Sequence, residues 1–282
     1  MISIRVPAST TNLGPGFDCL GIALQLWNRI TLEIGRSESP LPEMVSQAAE
    51  LFFSHTGETP FPFKFSIEGD VPQARGLGSS VTLRVGTLMG LDRITKRGLA
   101  KEELCALCAE LEGHPDNAAA ALFGGFTIVT KTTNKIARFN VDPGLRFVLF
   151  IPNFEVKTSD ARTVVPASFS RQDVVENLGN ASLVAAAFAS REYAHLRGAF
   201  VDRLHQPFRE KFVPFLSKLL GTAADAGALG GFLSGSGSTV ACLTLSDGKQ
   251  VTSALEAMAI EESAKILIVS ADNDGARILS NN

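Results

Sequence analysis

The turn Gly76-Leu77-Gly78-Ser79-Ser80 contains the residue types that bind phosphate groups in proteins. Glycines at positive φ let backbone N–H groups approach an anion closely, and the first turn of a helix offers N–H groups without intrahelical partners. The Ser80 hydroxyl is suited to a metal ion beside a bound phosphate. The turn therefore predicts an anion cradle, although a flexible connector with a capping serine would have the same local pattern.

Polar residues are also concentrated in the segment 110–117, which holds Glu110, Glu112, His114, Asp116 and Asn117. A phosphate-bound magnesium ion takes one or two protein carboxylates, so both glutamates are candidate metal ligands. The alternative is that the glutamates are solvated helix residues and that the aspartate is favoured at a helix start by the dipole. The histidine alone would more often be a structural hydrogen-bonding group.

A second polar segment, 7–18, contains Asn12, Gly14, Gly16 and Asp18. Its glycines allow a close approach of the backbone, and its amide and carboxylate side chains are able to bind a small polar ligand. Since small and turn-forming residues dominate, we expect the opening strand to end near residue 6, and a plain surface loop is the alternative.

The second half of the chain adds two arginines and a third glycine-rich run, 230–238, which includes Gly235. Arg162 and Arg209 fall at predicted junctions of loops and helices, where a guanidinium group suits a carboxylate or phosphate. Surface ion pairs are the alternative for both arginines. We further expect helices over 174–191 and 194–204 and a buried strand over 145–151.

The elements that position these residues follow from the hydrophobic pattern. Residues 63–68 alternate as a half-buried strand, and apolar residues between 83 and 94 recur at helical spacing after a predicted N-cap at Ser79 or Ser80. A helix over 101–111 ends at a glycine, and the next helix begins after Pro115. The phosphate turn and the segment 110–117 thus both lie at predicted helix ends.

Composition limits the classes of function. The 282 residues are 45% hydrophobic and 20% charged with a net charge of −3, which favours a soluble globular protein and argues against a nucleic-acid partner. We find neither a signal-peptide pattern nor a membrane-spanning run and expect a cytoplasmic protein. Cys105 and Cys108 lie within a helical pattern and are expected to be reduced core thiols.

Together, the three glycine runs and their order along the chain resemble the GHMP kinase superfamily. The segments 7–18 and 112–117 are most similar to the homoserine kinases within it. The resemblance implies an α+β, two-domain GHMP kinase fold. Residues 1–143 would form a domain like the second domain of ribosomal protein S5, with the phosphate loop, and residues 144–282 a ferredoxin-like domain.

The resemblance implies that ATP phosphorylates the hydroxyl of L-homoserine to O-phospho-L-homoserine, with Mg²⁺ present, as a step toward threonine. It also allows a homodimer. Another small hydroxy amino acid as substrate, or a non-catalytic paralogue that binds nucleotide or amino acid, remains the alternative. Where relatives place an asparagine near the adenine, this chain has Glu43, so the nucleotide preference stays open.

The same resemblance implies a role for each candidate residue. Asp116 would organise direct in-line transfer rather than accept the proton, and Arg162 and Arg209 would grip the substrate carboxylate while Asp18 meets the ammonium group. The metal would be held by Ser80 with Glu110 or Glu112. The phosphates would lie against Pro72, Ala74, Arg75, Gly76, Leu77, Gly78, Ser79 and Ser80, and the amino acid against Asn12, Asp18, His114, Asn117, Arg162, Arg209 and Gly235.

Overall fold

The structure is a computed structural model that describes residues 1–133, 135–260 and 262–279. Within these residues the strands are β1 (Ile2–Asn12), β2 (Gly16–Ile34), β3 (Phe63–Gly69), β4 (Phe126–Val129), β5 (Ile136–Phe139), β6 (Arg146–Pro152), β7 (Gly230–Leu233), β8 (Val240–Thr244), β9 (Ala264–Val269) and β10 (Arg277–Leu279). The helices are α1 (Glu43–Thr56), α2 (Ser79–Thr95), α3 (Lys101–Glu112), α4 (Asp116–Phe123), α5 (Thr158–Thr163), α6 (Arg171–Ser190), α7 (Gln206–Arg209), α8 (Leu216–Asp225) and α9 (Lys249–Glu256). Among the described helices, none combines the length and the apolar character needed to cross a lipid bilayer.

The first sheet is antiparallel, with strand order β10-β1-β2-β4-β5 and with β3 also paired to β2. In the long β1–β2 hairpin the register shifts after Pro7, and the side chains of β1 change face there. Val6 packs against α1 to α4 before the shift, whereas Ala8 packs toward the second half after it. The hairpin therefore contributes to a core on each face of its sheet.

The second sheet is also antiparallel and has the order β7-β8-β6-β9. Phe147 and Leu149 of β6 lie in the core shared with the first half, and Val148 and Phe150 pack with α8 and α9 on the opposite face. Because successive side chains of a strand point to opposite faces, a strand covered on both sides is apolar throughout. The buried strand expected over 145–151 is confirmed.

The opening strand does not end near residue 6, as expected, but continues to Asn12. Ser9, Thr10 and Thr11 are buried, and their backbone groups pair with β2. Their hydroxyls find partners on distant segments: the Ser9 hydroxyl donates to Asn117, and Thr10 shares a hydrogen bond with Ser234. Buried hydroxyls that are paired in this way no longer oppose burial, which is why a polar sequence forms a central strand.

The helix expected over 194–204 is wrong. A single 3-10 turn, Tyr193–Leu196, is followed by irregular backbone that includes Gly198 at φ +77°. Asp202 then accepts hydrogen bonds from the N–H groups of His205 and Gln206 at the start of α7. The segment between the 3-10 turn and α7 therefore does not form the expected helix, and its Asp202 side chain fixes the start of α7 instead.

Cys105 and Cys108 lie on α3 as free, buried thiols, as the sequence predicts. Burial raises the pKa of Cys105 to about 12 and raises that of Cys108 well above its usual range. Both groups therefore stay protonated at neutral pH and act as small apolar side chains.

Candidate active site

The phosphate turn connects β3 to α2, and its glycines adopt the left-handed conformation, with φ +71° at Gly76 and φ +69° at Gly78. A Cβ atom on Gly76 would lie 2.1 Å from the backbone oxygen of Ser234, and one on Gly78 would lie 2.2 Å from the Ser9 hydroxyl oxygen. Both glycines are thus required by backbone conformation and by close packing, independently of any ligand.

Three segments meet at this turn. Ser9 of β1 donates its N–H to Leu77 over 3.1 Å, and the Ser234 hydroxyl donates to the Gly76 carbonyl over 2.6 Å. The Gly235 N–H donates to the Thr11 carbonyl over 3.2 Å, which joins the third glycine loop to β1. The glycine runs that lie far apart in the sequence therefore form one hydrogen-bonded unit.

The first turn of α2 is free of side-chain caps. The N-cap is Gly78 rather than the expected Ser79 or Ser80, and within the described residues no side chain makes a capping hydrogen bond at this helix start. The turn consequently retains N–H donors that an anion is able to use, together with the positive end of the helix dipole.

The structure brings Glu112, and not Glu110, to Ser80. The Ser80 hydroxyl donates to Oε2 of Glu112 over 3.2 Å, while Arg84 forms an ion pair with Oε1. Glu110 is exposed and lines a surface groove with His55 and Lys131. A hydroxyl and a carboxylate beside an anion cradle are the oxygen donors that suit Mg²⁺, so Ser80 and Glu112 fit this metal as a pair.

His114 and Asp116 form a buried pair at the start of α4, where His114 Nδ1 donates to Asp116 Oδ1 over 2.6 Å. Burial lowers the pKa of His114, but the hydrogen bond and charge of Asp116 raise it more, and the net pKa lies above the ordinary value of 6.5. Burial raises the pKa of Asp116, yet the histidine and the Asn117 N–H outweigh it, so the net pKa is lowered. The pair is therefore ionic between the lowered pKa of Asp116 and the raised pKa of His114.

Two asparagines hold backbone segments at the site. The Asn117 amide accepts from the Ser9 hydroxyl over 2.8 Å and donates to Thr11 over 3.1 Å, which ties α4 to β1. Asn12 donates to the Gly235 carbonyl over 2.9 Å and accepts the Asp18 N–H over 3.0 Å. The amides of Asn12 and Asn117 thus fix β1 against α4 and against the third glycine loop.

The Asp18 carboxylate pairs with Arg162 through two hydrogen bonds of 2.7 and 3.0 Å. One carboxylate oxygen of Asp18, one of Asp116 and one ring nitrogen of His114 all lie within 4.8 Å of one another. Arg209 lies beside this group and is only 2% exposed. The Phe17 ring lies near both arginines, 5.6 Å from the Arg162 guanidinium and 5.0 Å from that of Arg209.

Sequence reasoning missed three residues here. Arg84 stands four positions after Ser80 and so one helical turn away, a spacing that would have placed it near the same carboxylate. Phe17 and His205 stack on each other with ring centroids 5.0 Å apart, and no local pattern links them. His205 is four residues before Arg209, which is the only sequence signal of their contact.

Comparison with known proteins places both halves of the chain in one family. The family model for the N-terminal domain of GHMP kinases matches residues 43–125, and the model for the C-terminal domain matches residues 184–261. The homoserine kinase of Caldicellulosiruptor bescii is 35% identical over 99% of this chain and 97% of its own length. That of Clostridium beijerinckii is 37% identical over 99% of both chains.

Among solved structures, the homoserine kinase from Cytophaga hutchinsonii superposes with a TM-score of 0.87 over 99% of this chain and 97% of its own. Its sequence identity is 23%, so this likeness concerns the fold. The expected two-domain α+β fold is confirmed by these matches together with the two sheets and their helices. The chain belongs to the GHMP kinase family.

Proposed function

We propose that this chain catalyses the ATP-dependent phosphorylation of the hydroxyl of L-homoserine, which yields O-phospho-L-homoserine and ADP. The observation that carries the proposal is the meeting of a phosphate cradle with a set of groups suited to a zwitterionic amino acid. A Cβ atom on Gly78 would lie 3.2 Å from Asn117 Oδ1, so the cradle borders on the helix that begins with Asp116.

At the cradle, backbone N–H groups of the first turn of α2 bind the phosphates of ATP and neutralise part of their charge. Ser80 and Glu112 would hold Mg²⁺, and the metal would supply charge screening for the phosphates. Phosphoryl transfer depends mainly on positioning and charge stabilisation, so a cradle of fixed glycines is the main requirement at this end.

At the other end, Asp18 binds the substrate ammonium group, and Arg162 and Arg209 bind its carboxylate. Asp18 and Arg162 form an ion pair with each other. A zwitterion supplies an opposite charge to each of them, whereas a ligand with only one charge leaves the other partner without an ion pair. This favours an amino acid over a neutral alcohol such as a sugar.

We propose that Asp116 organises this end and does not accept the hydroxyl proton. Its lowered pKa makes it a weak base, and its oxygen Oδ1 is already bonded to His114 and to the Asn117 N–H. Asp116→Asn is therefore expected to reduce kcat by about 10-fold or less, whereas removal of a general base costs roughly 100- to 10,000-fold. Single-turnover kinetics at saturating substrate measure this difference.

An ADP-release assay with homoserine, threonine, serine and mevalonate tests the function. We expect turnover to be highest with homoserine. If turnover were highest with another hydroxy amino acid, that amino acid would be the substrate. If ATP or homoserine bound without turnover, the chain would be a non-catalytic sensor. Turnover with mevalonate alone would contradict the amino-acid site. The cytoplasmic location, the domain boundary at 143 and the homodimer stay predictions.

A further inference from the structure

Arg209 is held on two of its three guanidinium nitrogens. Nε donates to the Ala161 carbonyl over 3.0 Å, and Nη1 donates to the Gly235 carbonyl over 3.0 Å. Nη1 also lies 3.2 Å from Nδ1 of His205. Within the part of the chain that the structure describes, Nη2 has no hydrogen-bond partner. The buried cation therefore keeps one nitrogen for a ligand.

The contacts of His205 determine where its proton is. Nε2 lies 2.8 Å from the Gly14 carbonyl oxygen, which only accepts hydrogen bonds, so Nε2 carries the proton. Nδ1 faces an arginine nitrogen, which only donates, so Nδ1 presents its lone pair. Burial lowers the pKa of His205 to about 4, and the ring is neutral at pH 7.

His205 thus connects three parts of the site. It is completely buried, stacks on Phe17 at an interplanar angle of 22°, and joins the Gly14 carbonyl to the Arg209 guanidinium. A carboxylate in its place would neutralise Arg209 and compete with the substrate, while a cation would repel it. A neutral acceptor fixes the arginine without using its charge.

We propose that His205 is a positioning residue which, through the lone pair of Nδ1, fixes Arg209 so that Nη2 remains available for the substrate carboxylate. The inference rests on the proposed function, because it assigns the substrate carboxylate to Arg209. Its consequence is specific: loss of the Nδ1 acceptor weakens recognition of the carboxylate and leaves recognition of ATP and of the ammonium group unchanged.

Three substitutions distinguish the contribution of Nδ1 of His205 from that of Nε2. His205→Phe removes both and retains an aromatic ring for Phe17. His205→Asn places an amide oxygen near the position of Nδ1, and His205→Gln places an amide N–H near the position of Nε2. We expect the KM for homoserine to rise about 10-fold in His205→Phe and His205→Gln and to stay within about 3-fold of the wild type in His205→Asn. The KM for ATP should not change.

A second ligand makes the test independent of a general loss of structure. 3-Aminopropan-1-ol has the ammonium and hydroxyl groups of homoserine but lacks the carboxylate, and its inhibition constant against homoserine should be the same in all four proteins. Thermal unfolding tests whether each variant is folded. If His205→Phe is unfolded, His205→Gln takes its place in the comparison. Equal losses for both ligands, or an unchanged KM in His205→Gln, would overturn the proposal. Absence of homoserine turnover in the wild type would instead contradict the proposed function.

Discussion

At the scale of single residues, three arginines near the site differ in what neutralises them. Arg84 is paired with Glu112, and Arg162 is paired with Asp18. The guanidinium of Arg209 contacts two carbonyl groups and a neutral histidine. Burial and the charge of Arg162 lower the pKa of Arg209 to about 10, so it remains a cation at neutral pH. Its positive charge is therefore the most available to an incoming anion.

The two candidate metal ligands differ in their position, and this gives the first prediction at this scale. We expect Glu112→Gln to weaken binding of Mn²⁺, used in place of Mg²⁺, to the ADP complex by about 10-fold or more, since it removes a carboxylate next to Ser80. The matched variant Glu110→Gln changes an exposed side chain and should leave binding within about 2-fold, which is our expectation for a group outside the site.

Electron paramagnetic resonance of free Mn²⁺ measures this binding without turnover. Thermal unfolding should accompany it, because Glu112→Gln also removes the ion-pair partner of Arg84. If Glu110→Gln weakened Mn²⁺ binding and Glu112→Gln did not, the assignment of the metal ligand would be reversed.

The buried His205 predicts a pH dependence of stability. Its pKa is about 4 in the folded chain against an ordinary value of 6.5, so below pH 6.5 the unfolded chain binds a proton that the folded chain does not. The free energy of unfolding should therefore fall as the pH drops from 6.5 towards 4, by at most about 1 kcal/mol per pH unit. The charge of Asp202, whose Oδ2 lies 3.4 Å from Nε2 of His205, acts against this shift. His114 has the opposite shift, and its contribution is fully present below pH 6.5 and is lost only as the pH rises through its raised pKa.

Urea unfolding between pH 7.5 and 4 measures this slope. His205→Asn should remove most of it, because the titrating group is absent in both states. The control is His195→Asn, which removes an exposed histidine and should leave the slope as in the wild type. A slope that survives in His205→Asn would mean that other groups cause the acid sensitivity.

At the scale of elements, the site depends on glycine loops that contact one another. Gly76→Ala would place a methyl group 2.1 Å from the backbone oxygen of Ser234 and 2.9 Å from that of Gly237, at φ +71°. The third loop would have to move away. We expect kcat/KM to fall by about 100-fold or more, since the displacement of a positioning loop by about 1 Å has this effect.

Gly98→Ala is the matched control for this substitution. Gly98 also has φ +71°, but no atom lies within 4 Å of its added Cβ. It should lose about 1–2 kcal/mol of stability from the left-handed conformation alone and keep its activity. Similar activities of the two variants would show that the contact between the loops has no role in catalysis.

The elements also show what local patterns are able to predict. Apolar residues at helical spacing predicted α2 and α3, and a continuous apolar run predicted β6, both of whose faces are covered. The continuation of β1 through Ser9 and Thr11 was missed, since their hydroxyls are paired with Asn117 on a helix about a hundred positions away. The sequence identified both glutamates as candidate metal ligands. The choice of Glu112 over Glu110 could not be predicted, because it depends on how α3 packs beside α2.

At the scale of the whole molecule, the end of the chain joins the two halves. After β9 the backbone returns to the first sheet, where the Ser270 carbonyl accepts the Gln25 N–H over 2.8 Å and β10 pairs with β1. Asp272 is buried there, and its carboxylate accepts hydrogen bonds from the Trp27 indole over 2.6 Å and from two backbone N–H groups over 2.9 Å. We therefore expect the two halves to unfold together.

Trp27 is the single tryptophan of the chain, so its fluorescence reports on the first sheet alone, while circular dichroism reports on all helices and strands. The two signals should change at the same denaturant concentration.

Asp272→Ala leaves three donors without their acceptor and should shift both transitions together, with a loss of about 3 kcal/mol in the free energy of unfolding. Asp274→Ala removes only an exposed ion pair with Arg277 and should cost less than about 1 kcal/mol. If the Trp27 transition came first in Asp272→Ala while circular dichroism stayed unchanged, the first sheet would unfold on its own and the chain end would not couple the halves.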